Sequence, residues 1–300
     1  MWVVPFRLNT VLGTALAASL LSGLSRAQTV PLPKISPAEL IARAVRQEAE
    51  AQKSPVRHMF RDRKQTARGS QTRVMAETLN AVAAITIAYD DKPLTAQQRQ
   101  AELDRLRRLA SSPDDLKAKH RRELEDAERA SRIVRALPDA FLYEYAGSEL
   151  GSEGIGIPGR PLLRLNFRPN PRYQPPTQVE RVLTGMQGYV LIDPAKERIA
   201  KIDGTLARDV GFGWGILGHL DRGGHFVVHQ GEIEAGDWEI TRMELAFTGK
   251  ILLFKNLSIQ STEVFSDFQP VPPDLTFAKA VDMLAKQEAE FAQSQNRAHT

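Results

Sequence analysis

Gly188–Leu206 reads GYVLIDPAKERIAKIDGTL. Two runs of β-favouring residues flank a proline-containing turn, Asp193-Pro194-Ala195-Lys196-Glu197. A hairpin with one wet face alternates apolar and polar residues along each strand. This one does not. Val190 and Ile192 fall on one side, yet Tyr189 and Leu191 on the other are also largely apolar. On the return strand, strict alternation sets Ala200, Ile202 and Leu206 against Ile199, Lys201 and Asp203. Both sides of the sheet must therefore be at least partly covered, or one side must line a cavity.

The pattern extends in both directions. Downstream, HFVVHQGEI (225–233), WEITRMELAF (238–247) and ILLFKNLSIQ (251–260) follow at hairpin spacing. Their turns are Asp221-Arg222-Gly223-Gly224, Glu234-Ala235-Gly236-Asp237 and Thr248-Gly249-Lys250, the signature of an antiparallel meander. Upstream, AFLYEYA (140–146), PLLRLNF (161–167) and VERVLTGMQGYVLI (179–192) read as strands, as do segments 56–66, 70–78 and 81–90. Strand-helix-strand alternation, the mark of a parallel sheet, is missing.

Helical periods appear in three places. Ser36-Pro37 supplies an N-cap and a first-turn proline for a helix over 35–53, with Leu40, Ile41, Ala44, Val45 and Ala49 on one stripe. Thr95 with Gln98 forms a capping box opening a charge-rich helical hairpin over 95–137, restarted at Ser112-Pro113. A last helix spans 277–291 with Phe277, Val281 and Leu284 facing inward, followed by a polar tail.

The strands carry the functional hint. Met243, Leu245 and Phe247 share a face with Thr241, and Phe226 and Val228 oppose His225 and His229. These five apolar residues are the candidate contacts for a hydrophobic ligand. Phe212 and Trp214, in the glycine-rich GFGWG segment (211–215), are candidates for a gate. The stiff FRPNPRYQPP segment (167–176) reads either as a lid or partner-binding loop or as a connector between parts of the sheet.

Composition excludes several classes. Residues 1–27 carry one early cation, Arg7, then an apolar core to Leu24, and end in Ser25-Arg26-Ala27. This reads as a secretory signal peptide with cleavage expected before Gln28, its core being too short for a permanent membrane span. There is no cysteine, hence no lipobox, disulfide or thiolate metal site. The net charge of +4 falls to 4 − 2 = +2 without Arg7 and Arg26. It is spread as +4 over 28–94, +3 over 95–137 and −5 over 138–275, which is not the basic stripe of a nucleic-acid binder. GIGIPG (154–159) matches the dinucleotide pattern by letter, but Pro158 and a strand follow it instead of the helix whose N–H groups would hold a pyrophosphate. His225 and His229 lie four apart on a strand, about 13 Å at ~3.3 Å per residue, too far to share a metal ion. No G-x-S-x-G elbow occurs. No catalytic, cofactor or metal residue is assigned, and the chain reads as a non-enzyme.

The order of elements, with DDKPLTAQQRQAELDRLRRL (90–109), RPLLRLNFRPNPRY (160–173) and GMQGYVLIDPAKERIAKIDG (185–204), resembles exported bacterial proteins grouped with the LolA/LolB-like outer-membrane lipoprotein-sorting proteins. The resemblance implies an α+β fold: a curved antiparallel sheet forming an unclosed half-barrel, with helices on the concave side and an apolar cavity for acyl chains. The charged hairpin 95–137 is an addition to that fold. No functional residues are carried over. One domain over 28–275 is expected, with 276–300 as a C-terminal helix and polar tail. The expected function is a periplasmic or secreted binder or carrier of a lipid or lipoprotein acyl chain. A sensor or scaffold of the same fold that binds a protein partner is the second reading, and a secreted hydrolase the third. The expected partners are a lipid or acyl chain and a lipoprotein or membrane protein, with no nucleic acid.

Overall fold

The computed structural model describes residues 34–53, 56–212, 218–234, 236–251 and 255–298. The signal-peptide reading falls on residues outside this set. Within it, no helix is long and apolar enough to cross a membrane.

The opening hairpin forms as β7 (Met186–Asp193) and β8 (Arg198–Leu206). Its turn is held by Asp193, whose carboxylate accepts the N–H groups of Ala195 at 2.8 Å and Lys196 at 3.0 Å. Glu197 takes the left-handed conformation (φ 51). The pairing then slips: Leu191 faces Lys201, but Ile192 faces Ile199, so Ala200 is an extra residue in β8. This bulge overturns the strict alternation. Ile199 joins Val190 and Ile192 in one core, while Ala200 joins Leu191 and Leu162 in another on the opposite face. The stretch expected to begin the first strand also differs. Glu180–Gly185 winds into a 3-10 turn and only Met186 onward is extended.

The remaining strands are β1 (His58–Thr66), β2 (Gly69–Ala76), β3 (Ala83–Tyr89), β4 (Lys92–Pro93), β5 (Phe141–Leu150), β6 (Pro161–Pro169), β9 (Val210–Phe212), β10 (Gly218–Leu220), β11 (His225–Glu234), β12 (Asp237–Ile251) and β13 (Lys255–Pro270). They form one unclosed sheet of 13 strands, ordered β4-β3-β2-β1-β13-β12-β11-β8-β7-β6-β5, with β9 and β10 as a side hairpin on β12. Every ladder pair is antiparallel. The sheet is thus two meanders joined where the last strand, β13, pairs with the first, β1.

The helices are α1 (Pro37–Ala51), α2 (Ala96–Ser111), α3 (Pro113–Ala140) and α4 (Phe277–Ala298). Ser36 caps α1 through the Glu39 N–H, and Thr95 and Gln98 form their capping box at α2. α2 and α3 carry the chain from the β4 edge to the β5 edge. α1 and the end of α3 bury Leu40, Ile41, Ala44, Val45, Leu137 and Ala140 against Leu163, Leu165, Val190 and Ile192. α4 buries Phe277, Ala280, Val281 and Leu284 against Met59, Ala76, Ala83 and Ile85.

Cross-strand partners point to the same face. One row runs Gln71–Lys64–Glu263–Met243–Val228–Ile202–Val190–Leu165. Val190 and Leu165 put this row on the α1/α3 side. Val74 and Ala76, an odd number of residues from Gln71 along β2, point the other way, toward α4. The helices therefore lie on both faces of the sheet.

The second face has its own cover over β6–β8. The loop containing GIGIPG lies on it, with Ile155 and Ile157 packed beside Leu162, Leu191, Ala200 and Trp238. The Gly156 N–H donates to the Gln230 carbonyl at 2.8 Å. Gly154, Gly156 and Gly159 all have positive φ. That is the work these glycines do.

Strand β4 pairs only with Ala88 and Tyr89, which leaves the rest of the β3 edge open. Helix side chains occupy it. The Thr86 N–H donates to Glu102, the Val82 N–H donates to Glu123, and Arg105 donates to the Ala84 carbonyl. Filling an edge in this way removes a template for unwanted pairing.

Candidate functional site

The five predicted apolar residues share the α1/α3 face of the central strands. Phe226 pairs with Leu245, and Val228 with Met243. The next row is Gly204–Phe226–Leu245–Ser261–Thr66. All five side chains are half-buried.

They divide into two groups. Phe226 and Phe247 pack against the α1/α3 core. Glycines make room for both rings: a Cβ on Gly204 would stand 2.6 Å from the Phe226 ring and 2.8 Å from Met186. A Cβ on Gly224 would stand 2.4 Å from the Phe247 ring. These two phenylalanines close the end of the core. Val228, Met243 and Leu245 belong to no core cluster among the described residues. They form a strip with core on one side. On the other side Lys64 pairs with Glu263 at 2.5 Å, and the buried Asp62 pairs with Arg73. Burial lifts the Asp62 carboxyl above its usual range, and Arg73 opposes the shift. The α1/α3 face thus runs from apolar to ionic, with a half-open apolar strip between.

Of the candidate gate, Phe212 lies in β9, half-buried against the same core. Trp214 lies outside the described residues. His225 faces away from the strip and sits 3.0 Å from Asp203. His229 shares that face, and burial followed by Lys201 and Arg242 lowers its pKa. His219 lies 3.2 Å from Asp221.

Sequence reasoning missed a polar cluster at one end of the same sheet. β12 pairs with β13 only from Arg242 onward, while its first residues pair with β11 alone. The far end of β13 pairs instead with β1, up to His58–Pro270. The two halves of the sheet part here. His58, 1% exposed, bridges the gap: its Nε2 lies 2.9 Å from Asp237 Oδ2 and its Nδ1 3.7 Å from Glu239 Oε1. The His58 approaches lack hydrogen-bond alignment, since neither ring nitrogen has a hydrogen-bond partner. The His58 N–H donates to Glu77 at 2.9 Å. Burial, then Glu77 and Asp237, pushes the Glu239 carboxyl up to about 7. Nearby, Arg198 pairs with Glu48 of α1 at 2.8 Å. Burial thus favours the protonated form of Glu239. No three His or acidic groups among the described residues are arranged to hold a metal. No sequence signal pointed to it, since His58 and Asp237 lie 237 − 58 = 179 positions apart.

Comparison of the chain with protein-family models, with curated proteins and with solved structures finds no match in any of the three.

Proposed function

We propose that this protein is an exported, non-enzymatic binder or carrier of a lipid or lipoprotein acyl chain, held on the α1/α3 face of an unclosed half-barrel. The single observation behind the reading is the strip Val228–Met243–Leu245, apolar and half-open between a closed core on one side and ion pairs on the other. Removing such a strip from water would favour binding by about 25 cal/mol per Å2 of apolar surface covered. The ion pairs Lys64–Glu263 and Asp62–Arg73 at its margin suit a ligand with an apolar body and a polar end.

The length of α3 supports a curved sheet. Glu123 of α3 reaches the β3 edge at Val82, and α3 ends at Ala140, where β5 begins. These residues are 140 − 123 = 17 apart, about 26 Å at ~1.5 Å per helical residue. Between β3 and β5 lie nine strand spacings, a contour of ~43 Å at ~4.8 Å each. A helix spans the shorter distance only if the sheet curls around it. This supports α3 as a strap across the concave side, while α2, whose Leu106 is buried with Phe277 and Leu284 of α4, stays at the β3 edge.

Titration with a fluorescent fatty-acid analogue tests the proposal. Saturable binding to the wild type is expected, with strong weakening in Leu245→Glu, because a charge facing an apolar site loses hydration without gaining a partner. A wild type that binds no probe would overturn the carrier reading and leave a scaffold.

A further inference from the structure

The proline-rich FRPNPRYQPP segment forms one wall of a cavity that differs in composition from the apolar strip. It is a cleft of about 510 Å3, lined by Pro169, Asn170, Pro171, Tyr173 and Pro175, with Arg181 and Thr184 from the 3-10 turn and Arg208 following β8. Three segments of chain contribute, and no acidic residue lines it.

Its polar groups separate into satisfied and unsatisfied. The Asn170 side chain is occupied: it donates to the Asp139 carbonyl and accepts from the Arg172 N–H. Thr184 donates its hydroxyl to the Arg181 carbonyl. By contrast, the Tyr173 hydroxyl and the Arg181 Nε–H are out of contact with water and have no hydrogen-bond partner. A buried donor left unpaired is costly, so an acceptor that it meets once the side chain turns into the cleft is favoured. Arg208 donates once, to the Thr184 carbonyl, and its side chain forms no ion pair among the described residues. Burial, then Glu180 and Asp139, raises the Tyr173 pKa and keeps the hydroxyl a donor. Glu180 itself is buried, with its carboxylate engaged by Thr177.

We propose that this cleft binds a phosphate monoester. Two guanidinium groups and a phenol supply only donors and positive charge, which selects an oxyanion. Donors arriving from three chain segments suit a tetrahedral group with three terminal oxygens better than a planar carboxylate. The cleft is larger than one phosphate needs, and its proline rings offer an apolar wall for the organic part. The site is independent of the acyl-chain reading. A free metabolite and a phosphatidic-acid headgroup present the same chemistry.

Calorimetric titration of the full chain with glycerol 3-phosphate is the first arm. The second is sedimentation with phosphatidic-acid vesicles against phosphatidylcholine vesicles. Saturable binding in the first arm marks a free monoester, and binding confined to phosphatidic-acid vesicles marks a lipid headgroup; either supports the site. Tyr173→Phe and Arg181→Gln should each weaken binding about tenfold, the usual effect of losing a hydrogen bond to an ion. Neither donor has a partner in the free protein, so the melting temperature of each unliganded variant should hold or rise. Absence of binding in both arms would overturn the proposal. So would a Tyr173→Phe protein that binds as tightly as the wild type.

Discussion

Leu165 and Leu245 lie on one face of one sheet, and truncating each to alanine separates a closed core from an open strip. Leu165 is 0% exposed, between Tyr145 and Val190 and beneath the helices. Leu165→Ala should cost about 2–5 kcal/mol, since it removes buried carbons and leaves a cavity. Leu245 sits between Phe226 and Ser261 and is only half-buried. Three carbons at ~0.8 kcal/mol each would give ~2.4 kcal/mol if fully buried. Half of that, with no cavity sealed from water, is about 1 kcal/mol. Urea unfolding of both variants, with the slope checked against wild type, measures the difference. Met243→Ala should fall with Leu245→Ala. If Leu245→Ala destabilised as much as Leu165→Ala, the strip would be ordinary core and not a binding face.

Other outcomes follow from individual contacts. Gly204→Ala drives a Cβ to 2.6 Å from Phe226 and 2.8 Å from Met186, so it should lower stability by about 1–3 kcal/mol, read from the melting curve. Glu239 has a folded pKa of about 7 against an ordinary 4.5, so the folded state holds the extra proton between those values. Its contribution to stability is therefore lost as pH rises from about 4.5 through 7, and Glu239→Gln should flatten that decline in a pH series of unfolding curves. Glu77, lifted chiefly by burial, acts in the same direction. Glu102→Ala removes the acceptor of the Thr86 N–H, and hydrogen exchange at that amide should speed up while amides deep in β6 keep their protection.

The local elements were legible because their causes are local. Ser36-Pro37 and the Thr95/Gln98 box open their helices where expected, and alternation with glycine turns marks β11 and the start of β12, but the turn expected at Thr248-Gly249-Lys250 lies inside β12, paired with Asn256–Ser258. Val228, Met243 and Leu245 were placed on a common face by period-2 reasoning, and the ladders agree. Failures came where one residue of slippage matters. Ala200 is small and apolar, so nothing in its identity announces a bulge, yet the bulge sends Ile199 to one face and Ala200 to the other. Val182 and Leu183 suited a strand, but tertiary packing wound them into a 3-10 turn.

Long-range facts stayed hidden for a different reason. The β1–β13 pairing, the placement of α4 opposite α1 and α3, the meeting of His58 with Asp237 and Glu239, and the convergence of Tyr173, Arg181 and Arg208 all depend on register summed over many strands. Each is selected by small packing differences between distant segments, and no local period encodes them. By itself the sequence determined most of the strands and helices, and that both faces of the sheet needed at least partial cover or one had to line a cavity. Only the tertiary structure decided what provides that cover, because which apolar faces meet is a property of the whole meander and not of any strand within it.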